Sequence, residues 1–100
     1  MHNFILLYRG PTTPPDASHQ GWPEWFARTG DRLVDVGSPM LGGFAVHADS
    51  VLTDTAADLN GFSVVRAENR DEVRELVRDH PFLAHGSDYT IEVFEAPRAG

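Results

Sequence analysis

The sequence predicts a single α+β domain of ferredoxin-like order, β-α-β-(hairpin)-β-α-β. Three observations carry this expectation. The 100 residues allow one compact domain over 1–100 and no more. Short apolar runs bounded by Gly, Pro and Asn have strand character, and two stretches space their apolar side chains as helices do. Taken along the chain, these pieces fall in the order strand, helix, strand, hairpin, strand, helix, strand.

The first strand is Phe4-Ile5-Leu6-Leu7-Tyr8, which enters a loop at Arg9-Gly10-Pro11. That run is too short for a membrane span or a signal core and has no basic leader, so a cytoplasmic protein without membrane contact is expected. Pro11 to Asp16, rich in proline, is a loop. Trp22, Trp25, Phe26 and Thr29 then fall at i, i+3, i+4 and i+7, one stripe of a helix expected from about Ser18, distorted near Pro23 and stopped by Gly30. Leu33-Val34-Asp35-Val36 reads as a strand ending at Gly37-Ser38-Pro39. Phe44 to His47 and Ser50 to Thr53 form a hairpin around Ala48-Asp49, and Asp54 to Asn60 is a loop. Asn60-Gly61 opens the strand Phe62 to Arg66. Asn69 caps a second helix with Glu72 three residues later, and Val73, Leu76 and Val77 make its apolar stripe before Pro81 ends it. Tyr89 to Glu95 is the last strand, with Ile91 and Val93 on one face and Phe94 on the other.

Two helices cover one face of such a sheet. Yet Phe4/Leu6 and Ile5/Leu7 are apolar on opposite faces of one strand, and strands apolar on both sides want cover on both. A second copy of the same sheet supplies that cover economically, so a homodimer is expected. The modest core of a domain this small points the same way.

Composition narrows the chemistry. The chain has no cysteine, and its eight basic residues are all arginine. Disulfides, thiolate nucleophiles, thiolate metal sites, Schiff-base lysine and a P-loop lysine are thereby excluded. A net charge of −7 with dispersed arginines argues against nucleic acid and against an anionic membrane surface. Histidine is left as nearly the only side chain suited to proton transfer near neutrality. Its spacing matches no metal motif, neither H-E-x-x-H nor two His with a carboxylate, so no metal is expected. The glycines Gly37, Gly42 and Gly43 form no nucleotide fingerprint, Ser38 and Ser63 lack a nucleophile elbow, and no cofactor is implied.

Several stretches together resemble the YCII-related domain family, which includes the DGPF-type proteins. They are Phe4-Ile5-Leu6-Leu7-Tyr8-Arg9, Trp22-x-x-Trp25-Phe26 with Asp31-x-Leu33-Val34-x-x-Gly37, and Asn60-Gly61-Phe62-Ser63-Val64-Val65-x-Ala67. Glu72-x-x-Glu75-Leu76-Val77-x-x-His80-Pro81-x-Leu83 and Ile91-Glu92-Val93 complete the pattern from about Phe4 to Glu95. The resemblance implies a dimeric α+β barrel of two ferredoxin-like protomers. It also implies a His on the first helix and an Asp before the proline that follows the second. His19 is the nearest match for the former, but His80 stands where the Asp belongs. The DGPF stretch departs too, with Thr55-Ala56-Ala57 after Thr53-Asp54.

His80 and His19 are therefore the candidate acid–base residues; against His80 stands a helix-terminal His that only caps carbonyls, and against His19 an exposed residue in the first turn of a helix. Trp22 and Trp25 are candidates for a ligand pocket, although their spacing also suits a core stripe. Tyr8 and Arg9, at the end of the first strand, are candidates for contact with a ligand, a salt bridge being the plainer fate of Arg9. His2, His47 and His85 are assigned no role. Two functions follow as expectations. One is a small enzyme performing His-based acid–base chemistry on a small organic molecule in a cleft. The other is a non-catalytic homodimer binding a small ligand or a partner protein.

Overall fold

In the computed structural model of the chain, the described residues are 1–11, 21–40, 42–54 and 58–97. Among these residues six strands and two α-helices run in the order β1 (His2–Arg9), α1 (Trp22–Thr29), β2 (Leu33–Pro39), β3 (Phe44–Val46), β4 (Leu52–Asp54), β5 (Leu59–Ala67), α2 (Arg70–Val77) and β6 (Thr90–Glu95). Short 3₁₀ turns at Gly30–Arg32 and Pro81–His85 follow the two helices. The main sheet has the order β2-β5-β1-β6, with every neighbouring pair antiparallel, and β3–β4 is a separate two-stranded hairpin. This is the expected α+β, ferredoxin-like arrangement, with the hairpin inserted between β2 and β5. No helix among the described residues is long and apolar enough to cross a membrane.

The pleat of β1 sorts its side chains. Phe4, Leu6 and Tyr8 are buried on one face, while Ile5, Leu7 and Arg9 lie half-buried on the other. On the covered face they meet Val65 and Ala67 of β5, Trp25 of α1, Val73 of α2 and Phe82, which together form the core. Trp25 ties the two helices together: its indole N–H donates to the Leu76 carbonyl of α2 at 2.8 Å. The uncovered face carries Ile5 and Leu7 opposite Phe94 and Glu92 of β6, and opposite Val64 and Phe62 of β5.

Several strand ends differ by a residue or two from those the sequence predicts, and three boundaries near a cavity differ in ways that shape it. Helix α1 starts at Trp22 rather than near Ser18. Gly21 takes a left-handed conformation (φ 95°), and Pro23 sits in the first turn, where its missing N–H costs no helical bond. Strand β5 begins at Leu59, within the stretch 54–60 expected as loop, and pairs there with Arg9 across a bulge. Strand β2 runs on through Gly37 to Pro39 instead of ending before them. It does so by bulging against β5, with register shifts on both sides of Asp35. Gly37 has φ 81°, and a Cβ there would overlap the Phe62 carbonyl, so the bulge requires glycine. The second helix follows the sequence closely. The Asn69 side chain accepts from the Glu72 N–H at 2.9 Å. The Glu72 carboxylate pairs with Arg32 instead of closing a capping box.

Candidate functional site

His80 lies just past α2, and its position before Pro81 holds its backbone extended (φ −62°, ψ 134°). That geometry folds the imidazole back over the following turn. Its Nδ1 accepts a hydrogen bond from the Phe82 N–H at 3.0 Å, capping the turn Pro81–His85. Because Nδ1 is an acceptor, the ring proton resides on Nε2, which faces the Tyr8 hydroxyl at 3.1 Å. Tyr8 in turn donates to Ser63 Oγ at 2.7 Å, and Ser63 donates to the Val36 carbonyl at 2.8 Å. Every polar atom along this buried path has a partner, and the path runs in one direction from the Phe82 N–H to β2. Ser63, Tyr8 and His80 are all buried.

Burial sets the charge of these groups. It pushes the His80 imidazole down to about 3, with the Arg28 charge adding to the same effect. It pushes the Tyr8 hydroxyl up to about 12, against the opposing hydrogen bond with Ser63. Both are therefore neutral at physiological pH. Rings enclose the imidazole: the centroids of Trp25, Trp22 and Tyr8 lie 4.2, 4.6 and 5.0 Å from it.

Beside this path lies a cavity of about 440 Å³. It sits between α1, the turn Pro81–His85 and the ends of β1, β2 and β5. Tyr8, Trp22, Phe26 and Phe82 supply its aromatic wall, while Asn60 and His85 are among its polar lining. Tyr8 and Trp22 meet edge to face at 5.3 Å, and Tyr8 and Phe82 meet at 5.1 Å. A second hollow of about 840 Å³ lies between α2 and β6 and is lined by charged side chains such as Arg70, Asp71, Arg74 and Glu95. It lacks the first cavity's convergence of aromatic rings around a few polar groups.

Of the residues singled out from sequence, Tyr8 and Trp22 line the cavity, and His80 lies directly behind Tyr8 without lining it. Trp25 is 1% exposed, stands outside the cavity lining and spends its N–H within the core. Arg9 is held by Glu92 and Asp58, and the hydrogen bond with Glu92 raises its pKa further. His19 lies outside the described residues, as does the Thr55-Ala56-Ala57 stretch. His47 bonds Thr53 across the hairpin, and His2 lies near Glu95. Among the described residues no group of three His, Asp or Glu is placed to hold a metal ion.

Ser63, Phe82 and His85 are the site residues that sequence reading passed over. Ser63 had a signal: with Gly61, Val65 and Ala67 it shares the inward face of β5, where a hydroxyl needs a partner. His85 had none, because only the turn after His80 brings it to the cavity.

The sequence pattern of the YCII-related domain matches residues 5–96, so the chain belongs to the YCII-related domain family. No curated protein and no solved structure gives a significant match to it.

Proposed function

We propose that this member of the YCII-related domain family takes a small, uncharged organic molecule into the cavity beside Tyr8 and catalyses a proton shift within it. When the molecule binds, Tyr8 turns its O–H from Ser63 towards it, gives its proton to one position and recovers one from another, an isomerisation that consumes no co-reactant. His80 stands behind Tyr8, and its Nε2–H stabilises the oxyanion formed when the proton leaves. The observation that carries this reading is the directed hydrogen-bond path through His80, Tyr8 and Ser63, whose middle member lines an aromatic cavity.

One observation favours a second reading, a non-catalytic ligand-binding protein. A hydroxyl at about 12 and an imidazole at about 3 are poorly matched to proton transfer at neutral pH. In that case the neutral path serves only to hold the cavity wall.

One experiment separates the two. Uncharged aromatic and enolisable fragments are screened by thermal shift, and the ligands found are incubated with the protein in D₂O while carbon-bound deuterium is followed by NMR. Catalysis predicts exchange that Tyr8→Phe abolishes while ligand affinity changes little. Binding without exchange supports the second reading. A protein that takes up no fragment refutes both.

A further inference from the structure

Tyr8 is not the only ionisable side chain that lines the cavity: His85 does so too. It is the last residue of the turn Pro81–His85, which is fixed at its start by the Phe82 N–H to His80 Nδ1 bond and by the Leu83 N–H to His80 carbonyl bond, both 3.0 Å. The His85 ring is fixed in its turn by aromatic neighbours, with Phe82 at 5.8 Å (72°) and Tyr89 at 5.2 Å (44°). Phe82 also touches Tyr8 at 5.1 Å. The two polar rings, Tyr8 and His85, thus pack against the same phenylalanine, whose ring forms part of the wall between them.

Among the described residues, the rest of the lining carries no charge. None of the described residues around the cavity is Asp, Glu or Arg, in a chain where 23% of residues are charged. An ionic ligand would lose its hydration there without gaining a counter-charge, whereas a neutral ring would meet aromatic faces and edges. A cavity of about 440 Å³ lies at the small end of ligand sites, which suits one ring rather than several.

We infer that the cavity is a site for a single aromatic ring bearing a hydroxyl, with the ring against Trp22 and Phe82 and the hydroxyl hydrogen-bonded to the His85 imidazole. The inference rests on the reading of this cavity as a small-molecule site. It adds the class of ligand and assigns its recognition to His85. His80 does not touch the ligand; it positions the turn that presents His85.

The test compares p-cresol with p-xylene, rings of nearly equal size in which a hydroxyl replaces a methyl. Binding to the full chain is measured by calorimetry and by the shift of the Trp22 indole N–H. The native chain is expected to bind p-cresol about tenfold more tightly, which is one hydrogen bond's worth of affinity. His85→Phe keeps the ring contacts with Phe82 and Tyr89 but loses the nitrogens. It should bring p-cresol down to the affinity of p-xylene and leave p-xylene unchanged. His47→Phe, on the β3–β4 hairpin, should leave the preference intact. Equal binding of the two probes by the native chain, or a preference that survives in His85→Phe, overturns the role of His85 while the small-molecule cavity stands. If neither probe binds, both the inference and the reading beneath it fall.

Discussion

A histidine with 2% of its surface exposed takes its protonation state from its neighbours, and at His80 every neighbour favours the neutral ring. Desolvation disfavours the cation, and the Phe82 N–H occupies the nitrogen that a second proton would need. The consequence appears in stability. In the unfolded chain the imidazole takes up its proton at the ordinary 6.5, while the folded protein resists it down to about 3. Between those values the unfolded state binds more protons. The contribution of His80 is therefore complete above about pH 6.5 and is lost as pH falls towards 3, at up to about 1.4 kcal/mol per pH unit. Urea unfolding of the native chain between pH 7 and pH 4 should show this slope. His80→Gln should lower stability at pH 7 by about 1–3 kcal/mol, since it disturbs two buried hydrogen bonds, and should show a visibly shallower pH dependence. Carboxylates contribute equally to both proteins, so the difference between the curves isolates the histidine. Parallel curves would mean that His80 takes up its proton as readily in the folded as in the unfolded chain.

At the level of elements, the bulge of β2 places the cavity's floor. Strand β2 crosses β5 through Gly37, and the residues Val36 to Pro39 that it delivers all line the cavity. Gly37→Ala combines positive φ with direct overlap on the Phe62 carbonyl. It should cost more than about 3 kcal/mol, or prevent folding, by thermal or urea denaturation. Gly30→Ala is the control: its φ is 59° but nothing lies within 4 Å of the new Cβ, so a loss of about 1–2 kcal/mol is expected. Equal losses would show that the bulge is not rigid. This element also marks where the sequence is legible. The apolar runs Phe4 to Tyr8 and Phe62 to Val65, the Asn69 cap and the Val73/Leu76/Val77 stripe are local signals, and the structure follows them. The bulge at Gly37 is not local, because it exists only against β5, and the sequence alone reads that glycine as a turn. The site divides in the same way. Trp22 was visible from helical spacing, and Tyr8 as the polar end of an apolar strand. Their union with Ser63 and His85 depends on pairing between residues 55 positions apart and on a 3₁₀ turn with no periodic signature.

At the scale of the whole molecule, the sheet remains apolar on the face the helices do not cover. Ile5, Leu7 and Val64 are only half-buried there, and Phe94 is 53% exposed. We propose that a second copy of the chain covers this face, since a self-complementary patch is satisfied by a two-fold dimer of one protein. Light scattering at micromolar concentration should then give twice the 11.0 kDa of the chain. Phe94→Glu should yield a folded monomer, because the side chain stands outside the core of one protomer and inside the interface of two. Charge sets the salt dependence. Each chain carries −7, so two copies repel one another at a distance while the apolar contact holds them together. Raising ionic strength screens the repulsion and leaves the apolar term intact, so the dimer should tighten from 50 mM to 500 mM salt, as a tenfold change screens over roughly a third of the distance. A dimer that loosens over the same range would be held by ion pairs, with the Arg9, Glu92 and Asp58 group the first place to look. A monomer under both conditions would leave the uncovered face without a second copy and overturn the proposal.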